Sequence, residues 1–443
     1  MKVLVVGGGA REHAICDTVH LSKNIELYSI MSNLNPGIKK LSKDFLQEKE
    51  TNIDQILDYA KIKDIDLVLV GPEAPLEVGI VNWLNKSGIN ACSPTKEAAR
   101  IETDKEWMRN LLKKYNIPGQ LKCKTFTDIE KARKFIESLD DEVALKPIGL
   151  TGGKGVRVSG DHFNGIEEAL SYIKEVIYKK IGGAAKVLIE EKAVGEEFTL
   201  QAFSDGNTIL PLPAVQDHKR LLAEDQGPNT GGMGSYSCDN GLLPFLSKSD
   251  YEEGAAILQK IVESLNKEGC PYIGPIYGQF MLTVNGPKII EINARFGDPE
   301  AMNVLPLLET DFVDLCKAMV DGNLNTKKLK LKKKSTVCKY VVPEGYGYKS
   351  MVGEKIFVNE EKIKSTGSML FYASVNKDNE IVKTTSSRSL AVVGISNTLN
   401  NAENICEEAL KHIKGDHIFI RHDIGTPSLI NRRIEHMVQL RGM

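Results

Sequence analysis

The sequence predicts a multidomain α/β and α+β chain: a parallel α/β domain first, then a larger α+β region, then a small β-rich end. Three observations carry this. Apolar runs of strand length alternate with helical spacing over the first hundred residues. Strands broken by glycine-rich turns follow, interrupted by one long polar stretch. The last third is strand-rich around one clear helical segment. The 443 residues suffice for about three domains.

In order, residues 3–6 form an apolar run ending at Gly7, Gly8 and Gly9, and 12–21 has helical spacing. The run 67–70, stopped by Gly71 and Pro72, is another buried strand, followed by a helix at 78–84. A long helical stretch, 96–115, leads to the Asn116-Ile117-Pro118-Gly119 break, and the first domain boundary is set at 104. Strands at 143–146 and 156–158 flank a glycine-rich turn at 149–155. A helix at 166–179 and strands at 187–190, 198–203 and 208–211 follow. The polar stretch 216–234 is expected to be a long functional loop. A helix at 251–267 precedes strands at 277–284 and 288–292, joined through Asn285-Gly286-Pro287. Helices near 299–308 and 312–321 lead to the basic run 327–334, which reads as a solvated linker or edge strand rather than a nucleic-acid patch. Beyond it one helix, 399–413, stands among strands. The domains are therefore set at 1–104, 105–325 and 326–443.

Composition narrows the function. Hydrophobic residues make up 42% and charged residues 26%, which excludes disorder, collagen and coiled coil as the main architecture. Lys and Arg total 57 against 59 Asp and Glu, so bulk charge does not draw the chain to nucleic acid. No apolar run approaches the roughly 18 residues of a membrane span, and the opening residues read as a strand rather than a signal peptide. The eight cysteines form no C-x-x-C pair, the pattern of scattered thiols in a reducing cytoplasm.

Two glycine clusters fail the familiar nucleotide tests. Glycines 7 and 9 fit G-x-G-x-x-G, but position 12 is Glu, where a third glycine would let helix and strand pack closely. A nicotinamide dinucleotide is disfavoured. The turn still offers backbone N–H groups and a positive dipole end to some phosphate, with Arg11 in support; a tight turn without ligand is the plain alternative. The second cluster has Gly153-Lys154 but Gly155 where a P-loop needs Ser or Thr. Lys146 at a strand end and Lys154 in a glycine hairpin can nevertheless close over a triphosphate, unless the hairpin is only surface. Glu291 and Asn293, two apart on one strand, share a face. Such side-by-side hard oxygens suit Mg²⁺, which takes few protein ligands besides phosphate oxygens. Gln279 can lie near the same face, and Arg295, Asp298 and Glu300 follow at once.

Taken in order, these elements resemble the ATP-grasp superfamily and, within it, the glycinamide ribonucleotide synthetase family. Six passages carry the resemblance: Gly9-Ala-Arg-Glu-His13, Val70-Gly-Pro-Glu-Ala-Pro-Leu76, Gly152-Gly-Lys-Gly155, Gln216-Asp-His-Lys-Arg220, Gly227-Pro-Asn-Thr-Gly-Gly-Met-Gly234 and Arg295-Phe-Gly-Asp-Pro-Glu300. Arg421-His-Asp-Ile-Gly425 is similar to the family's terminal segment. Thr151, Thr103-Asp104 and Met302 depart from the usual pattern; they touch loop dynamics and fine substrate contacts.

The resemblance implies a pre-ATP-grasp domain at 1–104, an ATP-grasp fold of two α+β lobes with 120–195 as the mobile ATP lobe, and a β-rich domain at 326–443. It implies a ligase of purine biosynthesis that joins glycine to 5-phosphoribosylamine, with ATP going to ADP and phosphate through glycyl phosphate, and with Mg²⁺ or Mn²⁺. Lys105, Lys146 and Lys154, with Gly152, Gly153 and Gly155, would hold the ATP phosphates. Glu190 and Lys192 would meet adenine, and Glu197 the ribose. Glu291 and Asn293 would hold the metal, with Gln279 at a second ion. Arg295, Lys154 and Asp217 would be catalytic. Asp217, Lys219, Arg220, Asn229, Gly231, Gly232 and Arg295 would line the acceptor side, and Gly8, Gly9, Arg11, Glu73 and Pro75 would take the phosphoribosyl end. His13 and His218 are either general bases or buried structural residues. The partners implied are these small molecules, with no nucleic acid or membrane, and the chain would be a cytoplasmic monomer in transient contact with the enzyme supplying phosphoribosylamine. Another ATP-grasp ligase would share 146–155 and 291–293 but not 216–234, a non-catalytic regulator would have lost lysines or metal ligands, and a dehydrogenase is disfavoured by Glu12.

Overall fold

A computed structural model describes residues 1–150, 155–378 and 381–442. The first region is a five-stranded parallel sheet in the order Asp44–Gln47, Glu26–Met31, Lys2–Val6, Leu67–Val70, Asn90–Ala91. All four residues of Leu67–Val70 are buried, as a strand covered on both faces requires. Strand order reverses beside Lys2–Val6, so a crevice opens at the carboxyl ends of Lys2–Val6 and Leu67–Val70.

The expected helix 96–115 is two helices, Lys96–Thr103 and Lys105–Lys114. Asp104 between them is extended, and its carboxylate accepts from the Trp107 amide, so an N-cap starts the second helix. The helix expected at 78–84 is found at Ile80–Lys86, and a further short helix, Glu73–Glu77, precedes it, with Gly79 between them at a φ of 87°.

Two antiparallel sheets follow. One pairs Cys123–Phe126, Val187–Glu191, Val143–Pro147 and Arg157–Val158. Its core, from Phe126 to Ile189, is a separate cluster closed by the helix Gly165–Lys179 through Ala169, Leu170, Ile173 and Val176. The other orders Ile209–Pro211, Glu196–Asp205, Ile273–Thr283 and Gly286–Asn293.

The stretch 216–234 is not the long loop expected. Gln216–Asp217 pairs with Gly234–Ser237, and these strands join Ser335–Pro343, Leu390–Ser396, Met369–Tyr372 and Ile418–Ile420 in a six-stranded sheet. Between them, Arg220–Leu222 and Gln226–Asn229 form a small hairpin. The segment near 299–308 is helical only over Ala301–Val304, with a 3₁₀ turn at Leu305–Leu307. The basic run lies along 306–310 through the Leu308–Leu331 bridge and backbone bonds from Glu309 to Lys330 and from Lys332 to Leu307, with Leu329 and Leu331 packed on the core. The end of the chain holds a 15-residue helix that the sequence analysis lacks, Pro427–Arg441. Thr426 caps it by accepting from the Leu429 amide, and Pro427 opens it.

Candidate active site

A cavity of about 520 Å³ lies between the two antiparallel sheets and is walled by residues from the first region and from the chain's last third. On the first sheet, Glu190 is fully buried between the Arg109 guanidinium at 2.6 Å and the Lys146 ammonium at 2.7 Å. Burial opposes its charge, but the two cations outweigh burial and hold its pKa below the ordinary value. Glu190 therefore fixes Lys146, which also donates to the Ile290 carbonyl, and Glu190 itself lines the cavity wall. Lys192 lines the same wall and pairs with Glu142 at 2.9 Å.

On the facing sheet, Gln279 and Glu291 are cross-strand partners. Asn293 donates to Glu291 at 3.2 Å. Gln279 accepts from Lys219 at 2.5 Å and donates to Glu197 at 2.7 Å. Burial pushes the Glu291 pKa up, yet Lys219, Lys146 and Lys105 prevail and hold it low. Cations thus crowd one carboxylate on the cavity floor, the field an anionic phosphate chain requires. Lys105 reaches this floor from a side pocket, with its ammonium 2.8 Å from the Gly149 carbonyl. The Gly155 carbonyl accepts from the Tyr172 hydroxyl. Gly152, Gly153 and Lys154 lie outside the described residues.

Alternation along 217–220 sorts the acceptor passage. Asp217 and Lys219 face the cavity. His218 is buried on the other side, and neither ring nitrogen has a hydrogen-bond partner among the described residues. Burial, with Arg421 and Arg433 nearby, pushes its pKa down to about 3. Arg220 does not line the cavity; it pairs with Asp161 at 2.9 Å and donates to the Gly227 carbonyl. One oxygen of Asp217 is buried without a partner among the described residues, and burial together with Glu300 raises its pKa well above the ordinary value. Gly232 packs on it so closely that a Cβ would sit 2.6 Å from Asp217 Oδ1. Asn229 and Gly231 also line the cavity.

The first region contributes less uniformly than expected. Arg11 and Glu73 line the cavity, whereas Gly8, Gly9 and Pro75 line an adjoining pocket of about 230 Å³. The Gly9 amide is not free for phosphate, because it donates to Glu12 at 2.7 Å. A Cβ at Gly7, Gly9 or Gly71 would strike the Glu12 side chain, so these glycines make room for Glu12. Glu12 in turn holds Arg11 at 2.6 Å. Arg295 lies in the cavity between Glu102 at 2.9 Å and Glu73 at 3.2 Å. Burial raises the Glu102 pKa to about 7 despite Arg295. His13 is structural: its Nδ1 accepts from the Tyr372 amide, and burial lowers its pKa to about 4.

Sequence reasoning missed Arg388. It enters from the last third, donates to the carbonyls of Gly231, Gly232 and Asp298, and pairs with Asp298 at 3.2 Å. Nothing in the polar Ser386-Ser387-Arg388-Ser389 turn marks it. Arg109 and Glu102 were missed because they read as polar positions on surface helices, although helical spacing places both on the buried faces.

Comparison with known proteins matches three profiles: "Phosphoribosylglycinamide synthetase" N domain at 1–102, ATP-grasp (A) domain at 103–301 and C domain at 336–427. A phosphoribosylamine–glycine ligase of Methanothermobacter thermautotrophicus is 51% identical over 441 residues, covering both chains fully. The chain belongs to the phosphoribosylglycinamide synthetase family. Among solved structures, the phosphoribosylamine–glycine ligase of Thermotoga maritima superposes with a TM-score of 0.81 at 27% identity, over 96% of this chain and all of that one. Biotin carboxylase of Campylobacter jejuni shares the fold, at a TM-score of 0.73 and 15% identity over 99% and 98% of the two chains. As a phosphoribosylglycinamide synthetase, the chain carries the ATP-grasp architecture around the cavity just described.

Among the described residues, no group of three or more His, Cys, Asp and Glu is arranged to hold a metal ion. Glu291 with the amide oxygens of Asn293 and Gln279 fits a different role, a hard cation that draws its remaining oxygens from phosphate. The Gln279 oxygen takes the Lys219 ammonium, so ligation by Gln279 requires that lysine to move.

Proposed function

We propose that this chain is an ATP-dependent, ADP-forming ligase that joins glycine to 5-phosphoribosylamine, giving glycinamide ribonucleotide and phosphate. The observation that carries the reading is the cation-crowded Glu291 floor facing a wall of Asp217, Asn229 and Gly231 across one cavity, in a chain of this family. A carboxylate does not condense with an amine at neutral pH, because its leaving group is too poor. Transfer of the γ-phosphoryl group to glycine gives glycyl phosphate, and the amine of phosphoribosylamine then displaces phosphate. The first step depends on positioning and charge neutralisation, so no protein nucleophile is required. Lys105 and Lys146 hold the phosphates, and Glu190 acts through Lys146. Arg295, locked between Glu102 and Glu73, offsets charge on the transferring group. Asp217 is suited to take the proton that the amine gives up as the C–N bond forms. Glu291 and Asn293 would hold Mg²⁺, or Mn²⁺, which supplies charge neutralisation to the phosphates when bound. Glu197 meets the ribose, and Arg11 and Glu73 the phosphoribosyl end.

The division at 104 and 325, with 120–195 as a mobile lobe, is kept as part of this proposal; the separate core of that lobe supports it. We place the chain in the cytoplasm as a monomer taking phosphoribosylamine by transient contact; its eight cysteines are all free, and no described helix is long and apolar enough to cross a membrane.

The test is ADP release with Mg²⁺-ATP, glycine and phosphoribosylamine formed in situ from ribose 5-phosphate and ammonia. Release that needs all three, with product confirmed by mass, is expected. Tight Mg²⁺-ATP binding without turnover would move the assignment to another acceptor or to a non-catalytic regulator.

A further inference from the structure

Behind the cavity, the backbones that carry its polar residues face a second, buried ionic network that the reaction does not use. Strand alternation makes the division: Glu197 turns to the cavity while Glu196 turns away, and Lys219 turns to the cavity while His218 turns away. Glu196 receives His436 at 2.6 Å and Arg433 at 3.3 Å, both from the helix Pro427–Arg441. Arg433 also grips Asp225, at the tip of the hairpin that begins at Arg220. Arg421, whose side chain is wholly buried, adds a second cation to Asp225 at 2.8 Å and donates to the Arg220 carbonyl at 2.9 Å. Asp423 accepts from the Glu224 amide. The far end of the same helix is pinned where Arg441 meets Asp250 at 2.8 Å and donates to the Thr283 carbonyl.

The hairpin tip is strained. Glu224 and Asp225 have φ of 59° and 58°, the left-handed region that non-glycine residues disfavour. At this tip the two residues are held by Arg421, Arg433 and Asp423. Arg433 ties the hairpin tip at Asp225 to Glu196 on the strand of Glu197 from behind, while on the cavity side Lys219 meets Glu197 directly at 3.8 Å and through Gln279.

Resting on the reading above, we propose that Arg433 is a positioning residue: it locks Asp225 to Glu196 from behind and so sets Lys219 and Glu197 for nucleotide and acceptor together. Arg421 completes the brace, which gives the terminal Arg421-His422-Asp423 motif a task.

The full chain is compared with Arg433→Met and Arg433→Lys by ADP titration calorimetry and by kcat and KM for each substrate. Arg433→Met is expected to raise the ADP Kd and the phosphoribosylamine KM about tenfold each, with kcat at saturation changed less than about threefold, and Arg433→Lys to recover most of the affinity. Wild-type constants in a folded Arg433→Met protein overturn the proposal. So does a fall in kcat with both constants unchanged, since that reports only lost folded protein. Should Arg433→Met not fold, Arg433→Lys decides: a joint weakening of about two- to threefold supports the brace, and no change refutes it. A wild-type chain inert toward phosphoribosylamine would defeat the assigned reaction, while its ADP affinity against that of the variants still judges the brace.

Discussion

Lys146 and Glu190 meet at 2.7 Å with both side chains almost wholly withdrawn from water. Arg109 satisfies the second oxygen of the same carboxylate, so one anion orders two cations on the nucleotide side of the cavity. Removing it leaves both cations buried and unopposed. Glu190→Ala is expected to cost about 3–5 kcal/mol of stability in urea unfolding and to weaken ADP binding at the same time. A variant as stable as the parent would refute this account of the pair.

The Glu291 floor makes a separate prediction. Glu291→Ala removes the carboxylate that the lysines of the floor surround, and turnover should fall about 10²-fold or more. Chelation by EDTA should stop the native enzyme, and Mg²⁺ should restore it. Turnover that survives either treatment would remove the metal assignment.

Gly232 tests the acceptor wall. Its φ is +105°, and a Cβ would meet Asp217 Oδ1 at 2.6 Å and Pro299 Cδ at 2.7 Å. Gly232→Ala should displace Asp217 and raise the KM for phosphoribosylamine, with ADP affinity kept. Equal losses on both sides of the cavity would show that the wall is not independent of the floor.

Acid stability should bear the mark of two histidines. His13 and His218 are buried neutral, with pKa values lowered to about 4 and about 3. Their folded values lie below the unfolded one, so the stability is whole above pH about 6.5 and drains as the pH falls toward 4 and 3. By pH 5 each should have cost roughly 2 kcal/mol. Urea midpoints at pH 8 and pH 5 measure the loss, and His218→Leu should remove about half of it. An unchanged slope in that variant would contradict the buried-neutral assignment.

Much of this was legible in the residues. The runs 3–6 and 67–70 are continuously apolar, the signature of a parallel strand covered on both faces. Glu291 and Asn293 were legible because period two fixes their shared face. The final helix was legible too, through the Thr426 cap, Pro427 and the apolar spacing of Leu429, Ile430 and Met437, yet it was passed over for the strands around it. Asp104 illustrates a different failure: helical spacing runs through it, and only its capping bond to Trp107 reveals the break. The partners of Glu190, and Arg388 altogether, were not recoverable. The partners of Glu190, Arg109 and Lys146, lie 81 and 44 residues away, and Arg388 reaches carbonyls 156 and 157 residues away, so their tasks exist only once the chain has folded.

The wall of the acceptor side borrows its supports from Arg388, Arg421 and Arg433, whereas the floor from Lys105 to Asn293 owes its first partners to earlier residues. Translation runs in that same direction. A nascent chain therefore owns the first partners of the floor before it owns the supports of the acceptor wall. Polypeptides released early, by a premature stop or a stalled ribosome, would lack the Arg433 brace behind both sides of the cavity. Competence arrives with the last helix, which makes the chain's own completion a gate on its chemistry.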